Sequence, residues 1–132
     1  CDTATDEALA AGIRLNARGI ILVPCCQSYV GRHMNGGHPF SDISKHGVFR
    51  NHLTAMLTEG ARTLALEAAG YKVKVITFIP ASYTPKNVMI RALRQTQAKS
   101  KNSIRAYRNL TETFRFQSPL DRLLPEVFPV ET

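Results

Sequence analysis

Four consecutive branched apolar residues, Ile20 to Val23, constrain the fold of this chain more than any other feature. The run has no alternating polar positions, so it predicts a strand buried on both faces, as in the parallel sheets of α/β proteins. Pro24 has no N–H to donate and is expected to end the hydrogen-bond ladder. A strand is therefore predicted over residues 19–26, with Cys25 and Cys26 at its carboxyl end, where ligands bind in open α/β sheets.

Length and composition are those of one globular domain. The chain has 132 residues, of which 44% are hydrophobic, enough to form a core. No run of about eighteen apolar residues occurs, which predicts a soluble protein. The three cysteines, two of them adjacent, make a poor disulfide framework. They indicate a reducing compartment, and a cytoplasmic location is expected.

The spacing of apolar residues predicts that helices and strands alternate along the chain and that the last two strands form a hairpin. Gly70 is predicted as the residue just after a long helix, and Gly60 as a place where that helix could bend or break. The last two strands have a short connection, which favours an antiparallel pair. The predicted elements are a short helix ending near Asn16, a polar loop over 27–44, a long helix over 44–69, strands over 71–79 and 88–94, a basic helix over 99–114 and a short helix beginning near Pro119.

Four short segments carry a resemblance to a known family. They are Cys-Asp-Thr-Ala-Thr-Asp-Glu-Ala at 1–8, Val-Pro-Cys-Cys-Gln at 23–27, Leu-Glu-Ala-Ala-Gly-Tyr at 66–71 and Thr-Pro-Lys-Asn at 84–87. In this order they resemble a Pro-Cys-Cys family of class I S-adenosylmethionine-dependent methyltransferases. Its eukaryotic relatives include methyltransferase-like proteins and glutathione S-transferase C-terminal domain-containing proteins. The resemblance covers residues 1 to about 94, and the C-terminal tail more loosely.

The resemblance implies an α/β fold, the C-terminal half of a Rossmann-like class I methyltransferase sheet, ending in an antiparallel β-hairpin. Residues 1–18 would hold the end of the fourth strand and its helix, and residues 19–26 the fifth strand. The strands over 71–79 and 88–94 would be the sixth and seventh, with the seventh inserted between the fifth and sixth. The family's glycine-rich cofactor turn is missing, because no Gly-x-Gly-x-Gly occurs in the chain.

This assignment predicts two parts within one domain. Residues 1–94 are expected to form the C-terminal half of a methyltransferase domain, and residues 95–132 a basic helical extension packed on it. The chain opens without a methionine and without the first strand of a βαβ unit. It is therefore expected to be a fragment that binds S-adenosylmethionine weakly or not at all by itself.

Asp2, Thr3 and Asp6 lie where the resemblance places the end of the fourth strand, facing cofactor and acceptor. The resemblance implies that all three bind S-adenosylmethionine. It also implies that Asp2 is catalytic, since a carboxylate there can take a proton from the group being methylated. The alternative is that Asp2 and Thr3 only cap the following helix, because Thr3 and Asp6 have capping-box spacing.

Cys25 and Cys26 are candidate catalytic residues with three open interpretations. One thiolate could attack a base, as in some RNA cytosine methyltransferases. The pair could bind zinc with His33, His38 or His46, although neighbouring residues on a strand alternate faces and rarely serve one metal. The third interpretation is that both thiols line a pocket beside the cofactor. No metal is assigned.

His38, Lys86 and Asn87 are candidate substrate-binding residues. His38 lies in the loop that leaves the predicted central strand, where a solvated histidine is the alternative. Lys86 could hold a phosphate and Asn87 could contact a base edge, both in the connection of the hairpin. Thr-Pro-Lys-Asn is equally ordinary turn chemistry.

Basic residues concentrate in the last third of the chain. Residues 86–122 contain nine lysines and arginines against two acidic residues, a net charge of +7 that equals that of the whole chain. Such a strip favours a polyanion, and a solvated helix face explains it equally well. The leading prediction is S-adenosylmethionine-dependent methyl transfer to RNA (tRNA or rRNA), with this chain supplying the substrate-side half. The alternative is a non-catalytic nucleic-acid- or protein-binding module on a degenerate methyltransferase fold.

Overall fold

The computed structural model describes residues 2–83 and 87–130 and shows an α/β chain built on a three-stranded sheet. In this described part, no helix has both the length and the apolar character needed to cross a membrane. The elements are α1 (Asp2–Arg14), β1 (Gly19–Leu22), α2 (Ser28–Arg32), α3 (Gly47–Ala68), β2 (Tyr71–Thr77), β3 (Val88–Arg94), α4 (Lys101–Thr113) and α5 (Pro119–Leu123).

The three strands lie in the order β1-β3-β2, and β3 runs antiparallel to both neighbours. Ala92 at the middle of β3 lies opposite Ile20 on one side and Val73 on the other. The predicted insertion of the last strand between the other two is confirmed, and so is the antiparallel pairing of β2 with β3. A Rossmann-like methyltransferase sheet is not established by these three strands and stays a prediction.

The prediction that residues 19–26 form a strand buried on both faces is wrong. β1 ends at Leu22, and its residues alternate between exposed and buried positions. Ile20 and Leu22 face the core, whereas Ile21 keeps 66% of its surface exposed. The apolar run is continuous in sequence, yet α1 and α3 bring core residues to one side of the sheet. The other side is open in the described structure.

The long helix α3 continues through Gly60, so a break there is not observed. A Cβ added at Gly60 would meet Leu110 Cδ2 of α4 at an ordinary 3.7 Å. Gly70 follows the end of α3 with a φ of 103°, which confirms its predicted position. A Cβ at Gly70 would lie 2.2 Å from the carbonyl oxygen of Thr96. Only glycine therefore allows the segment that enters α4 to pass this close.

The two C-terminal helices begin at serine caps. The side chain of Ser100 accepts a hydrogen bond from Ser103 N at the start of α4, and Ser118 does the same for Leu120 N at α5. Tyr107 is buried on α4, and its ring stacks on Phe128 with centroids 3.9 Å apart. These contacts join α4, α5 and the residues after them to the core.

Candidate functional site

Three segments meet beyond the carboxyl end of β1: the start of α1, the cysteine pair and the start of α2. The Asp2 carboxylate connects the start of α1 to the start of α2, because its Oδ2 accepts hydrogen bonds from Tyr29 N at 2.5 Å and from Ser28 Oγ at 3.2 Å. Asp2 thus satisfies a backbone donor at the start of α2, a different helix from its own. Thr3 lies inside α1, so the interpretation of Thr3 as its cap is wrong.

Arg62 of α3 joins these segments from the interior. Its side chain is fully buried, and its Nε donates to Asp6 Oδ1 at 2.9 Å. Its Nη2 donates to the carbonyl oxygen of Asp2 at 2.8 Å and lies 3.3 Å from Asp2 Oδ1. Its Nη1 pairs with Glu59 on the preceding turn of α3. We call Asp2, Asp6, Glu59 and Arg62 the Arg62 cluster; it ties α1 and, through Asp2, α2 to α3.

The Arg62 cluster surrounds one buried cation with three carboxylates. Burial raises the pKa of Asp6 and of Glu59 above their ordinary values, although Arg62 bonds to both and lowers them. Burial lowers the pKa of Arg62, but the hydrogen bonds and charges of Asp6 and Glu59 outweigh it and leave that pKa raised. Glu59 Oε2 is buried and has no hydrogen-bond partner in the described part of the chain. Burial thus outweighs the lowering effect of Arg62 on the pKa of both carboxyl groups.

The carboxylates of the predicted cofactor-binding residues Asp2 and Asp6 are bonded to other residues of the protein. Asp6 is only 2% exposed, and both of its carboxylate oxygens face Arg62. Asp2 is 9% exposed and bonded as described above. Thr3 is half-buried in the first turn of α1. The structure shows structural roles for the two aspartates, and their parts in cofactor binding and catalysis stay predictions.

Cys25 and Cys26 are exposed thiols whose Sγ atoms lie 3.6 Å apart. The hydrogen bond with Cys26, together with the charge of that neighbour, raises the pKa of the Cys25 thiol. A higher pKa lowers the fraction of thiolate, which is the nucleophilic form. A raised pKa makes Cys25 a weaker candidate for the nucleophile, and the pocket-wall interpretation stays a prediction. Within the described residues no group of three histidine, cysteine or acidic side chains could hold a metal, so the zinc interpretation gains no support.

The structure places His38 and Asn87 in different surroundings. His38 is buried, its Nδ1 accepts from Phe40 N at 3.2 Å, and its ring lies 6.0 Å from that of Phe114. Burial shows that the alternative of a solvated loop histidine is wrong. The carbonyl oxygen of Asn87 accepts from Phe78 N at 3.1 Å and closes the hairpin at the end of the sheet where β1 and β2 end. Lys86 lies outside the described residues.

Sequence reasoning missed Arg62, which organises the site. Two signals could have found it. Asp2 and Asp6 are spaced four apart, so they share one face of a helix. Arg62 lies four residues from both Thr58 and Leu66, so it lies on the buried face of α3, where it is the charged residue. A charged residue on a buried helix face requires an opposite charge from another element.

Comparison with known proteins bears on the same segments. A family model described as a methyltransferase domain matches residues 1–33. The matched stretch contains α1, β1 and α2, the elements that meet at the Arg62 cluster and the cysteine pair. The match supports a methyltransferase-domain family and methyl transfer in general, over this short N-terminal stretch. No curated protein and no solved structure matches the chain.

Proposed function

We propose that this chain takes part in S-adenosylmethionine-dependent methyl transfer to RNA and supplies the acceptor side of the site. The observation that carries the proposal is the methyltransferase-domain match over residues 1–33. These residues hold Asp2 and the cysteine pair, where the resemblance implies contact with cofactor and acceptor. The proposal includes a Rossmann-like methyltransferase fold, supported by the order β1-β3-β2 with an antiparallel β3.

RNA as the acceptor is supported by charge. The chain carries a net charge of +7, and α4 exposes Lys101 and Arg105 on the side away from its buried Tyr107. The described residues include no salt bridge to either side chain, since the ion pairs found involve Arg14 and Arg62. Unpaired cations along one helix face attract a phosphate backbone.

The residues assigned to the cofactor do not fit a direct contact with it in this structure. Asp6 is buried against Arg62, and Asp2 is bonded to Arg62, Ser28 and Tyr29. When bound, S-adenosylmethionine supplies an electrophilic methyl group, and we assign no step through it to these side chains. What this chain offers is positioning, with the exposed cysteine pair as a wall beside the acceptor.

Methyl transfer to RNA tests the proposal directly. Because the chain by itself is expected to bind S-adenosylmethionine weakly or not at all, this assay and the binding measurements below use the chain extended upstream by about one hundred residues. The extended chain would be incubated with S-adenosylmethionine carrying a tritiated methyl group and with total tRNA or rRNA, and label in RNA would be counted. We expect labelling that persists in Cys25→Ala, because the raised thiol pKa argues against a nucleophile. Loss of labelling in Cys25→Ala but not in Cys26→Ala would establish Cys25 as the nucleophile. Absence of labelling together with absence of calorimetric binding of S-adenosylmethionine would contradict the proposal.

A second candidate is a non-catalytic RNA-binding module on a degenerate methyltransferase fold. It is favoured by one observation, that Arg62 occupies the carboxylates expected to serve the cofactor. The two candidates differ in one measurement. RNA binding without any binding of S-adenosylmethionine would support the module, whereas binding of both would support the enzyme.

A further inference from the structure

The loop between α2 and α3 borders an open pocket that the proposed function does not use, with Met34 and Leu53 among its lining residues beside several polar side chains. The pocket has a volume of about 240 Å³ and its lining includes Asn35, His38, Ser41, Lys45 and Arg50. A second pocket of about 370 Å³ shares Arg50 and adds Arg32. Neither lining contains a carboxylate. Asp42, the only acidic residue of the loop over 34–46, lies outside both linings.

Hydrogen bonds hold the loop in one shape. Asn35 N donates to the carbonyl oxygen of Arg115 at 2.8 Å, which fixes the loop to the end of α4. Ser41 Oγ accepts from Gly37 N at 2.9 Å and donates to the carbonyl oxygen of His38 at 2.7 Å. The buried His38 ring packs near Phe114. A loop closed by its own hydrogen bonds presents its side chains without further ordering, which lowers the cost of binding.

The cations of this pocket have no acidic partner in the described structure. Arg50 Nη2 donates to the carbonyl oxygen of Gly31 at 2.8 Å, which orients its guanidinium between the two pockets. No ion pair reaches Lys45, Arg50 or Arg115 from the residues that the structure describes. Arg115 lies beside the loop but outside both linings, with its Nη1 2.7 Å from where a Cβ of Gly37 would be.

We propose that this pocket binds a phosphate group, with Lys45 and Arg50 as its ligands. A guanidinium held by one bond keeps its other N–H donors for phosphate oxygens, and a lysine adds a point charge. The phosphate is either an RNA phosphodiester or a free phosphate. The RNA assignment rests on the proposed function, whereas anion binding itself does not. α2 connects the second pocket to the Asp2 carboxylate, so an RNA phosphate here would lie along the path to the candidate site.

Nuclear magnetic resonance titration of the whole chain distinguishes the sources. We expect inorganic phosphate to shift the amide signals of residues 35–45, and a short single-stranded RNA to shift the same signals at much lower concentration. Shifts with phosphate alone would identify a site for free phosphate. If neither probe moves these signals, the pocket does not bind phosphate and the inference is wrong.

Substitutions then test the two ligands. Lys45→Gln removes an exposed cation and is compared with Lys72→Gln, an exposed lysine on the open side of the sheet. We expect Lys45→Gln to weaken RNA binding several-fold and to reduce the salt slope by about 0.7, the value for one phosphate contact in a single strand. Arg50→Gln should act in the same direction, with its folding checked by thermal unfolding because Arg50 also bonds to Gly31. Equal effects of Lys45→Gln and Lys72→Gln would overturn the inference.

These outcomes stay separate from those of the methyl-transfer assay. If phosphate shifts the amide signals in a way that depends on Lys45, but the chain labels no RNA, the phosphate site is supported and the proposed methyl transfer is contradicted. If RNA is labelled equally by the wild-type chain and Lys45→Gln, and phosphate shifts no amide signals, methyl transfer is supported and the phosphate site is contradicted.

Discussion

Arg62 is fully buried, and its partners come from α1 and from its own helix. Desolvation of a guanidinium is costly, so its contribution depends on the hydrogen bonds that replace water. Here the hydrogen bonds that Arg62 donates are accepted by Asp2, Asp6 and Glu59. Asp2 also accepts a hydrogen bond from Tyr29 N and so fixes the start of α2. Arg62 therefore joins the start of α1 to α3 and, through Asp2, to the start of α2.

Replacing Arg62 by methionine should destabilise the fold strongly. Three carboxylates would remain in the interior without a cation, and breaking a buried ion pair from one side costs roughly 3–5 kcal/mol. The free energy of unfolding from urea titrations measures this. The matched control is Arg105→Met on exposed α4, expected to change that free energy by less than about 0.5 kcal/mol. A similar small effect of both substitutions would show that the Arg62 cluster does not stabilise the fold.

Glu59 should make stability depend on pH. Burial raises its pKa in the folded state above that in the unfolded chain, so its contribution to stability is present below the unfolded pKa and is lost as pH rises through the folded pKa. Relative to Glu59→Gln, the wild-type chain should therefore gain stability as pH falls from about 7 toward about 4.5. Urea unfolding of both proteins across this range tests the sign. A difference that is constant, or that shrinks on acidification, contradicts it.

At the scale of elements, one glycine inside α3 and one glycine just after its end have different roles. Gly70 has a positive φ and lies against the backbone of Thr96, whereas Gly60 lies inside α3 with room for a methyl group. Gly70 ends α3 and leaves room for the backbone of Thr96 in the segment before α4. Gly60 only lowers the helical propensity of α3.

Alanine at these two positions should therefore change stability in opposite directions. Gly70→Ala should lose at least about 1–2 kcal/mol from the left-handed conformation, and more from the contact with the Thr96 carbonyl. Gly60→Ala should gain about 0.4–1 kcal/mol. Thermal unfolding of both variants measures the effect. A gain at Gly70 would show that the segment before α4 can move away.

Exposed positive charge lies on one side of α4, on the loop before α3 together with Arg50, and on the open side of the sheet at Lys72, Lys74 and Arg91. Arg115 lies at the end of α4 and bonds to Asn35 of that loop through its carbonyl. A phosphate backbone that contacted both α4 and the loop would run along the helix, because Lys101 and Arg105 lie near the start of α4 and Arg115 lies just after its end. This arrangement depends on tertiary structure, because α4 and the loop are far apart in sequence.

Affinity for single-stranded RNA should fall steeply with salt. Four phosphate contacts, at Lys45, Arg50, Lys101 and Arg105, would give a slope of about −3 in log affinity against log salt. Fluorescence anisotropy from low to physiological ionic strength measures the slope. A purine-rich and a pyrimidine-rich RNA should bind with similar affinity, because phosphate contacts carry no sequence information. Affinity that is indifferent to salt would remove RNA as the partner.

Local chemistry in the sequence determined where most elements lie. The strand β2, the position of Gly70 and the start of α5 near Pro119 depend on patterns of a few residues, so the sequence predicted them directly, whereas the Ser100 cap of α4 was not predicted. Tertiary structure alone decided that β1 is covered on one side. It also decided that Arg62 meets Asp6 across 56 residues and the Asp2 carbonyl across 60. The physical reason is that burial and ion pairing depend on partners brought together by the fold, and a local pattern carries no information about which partners arrive.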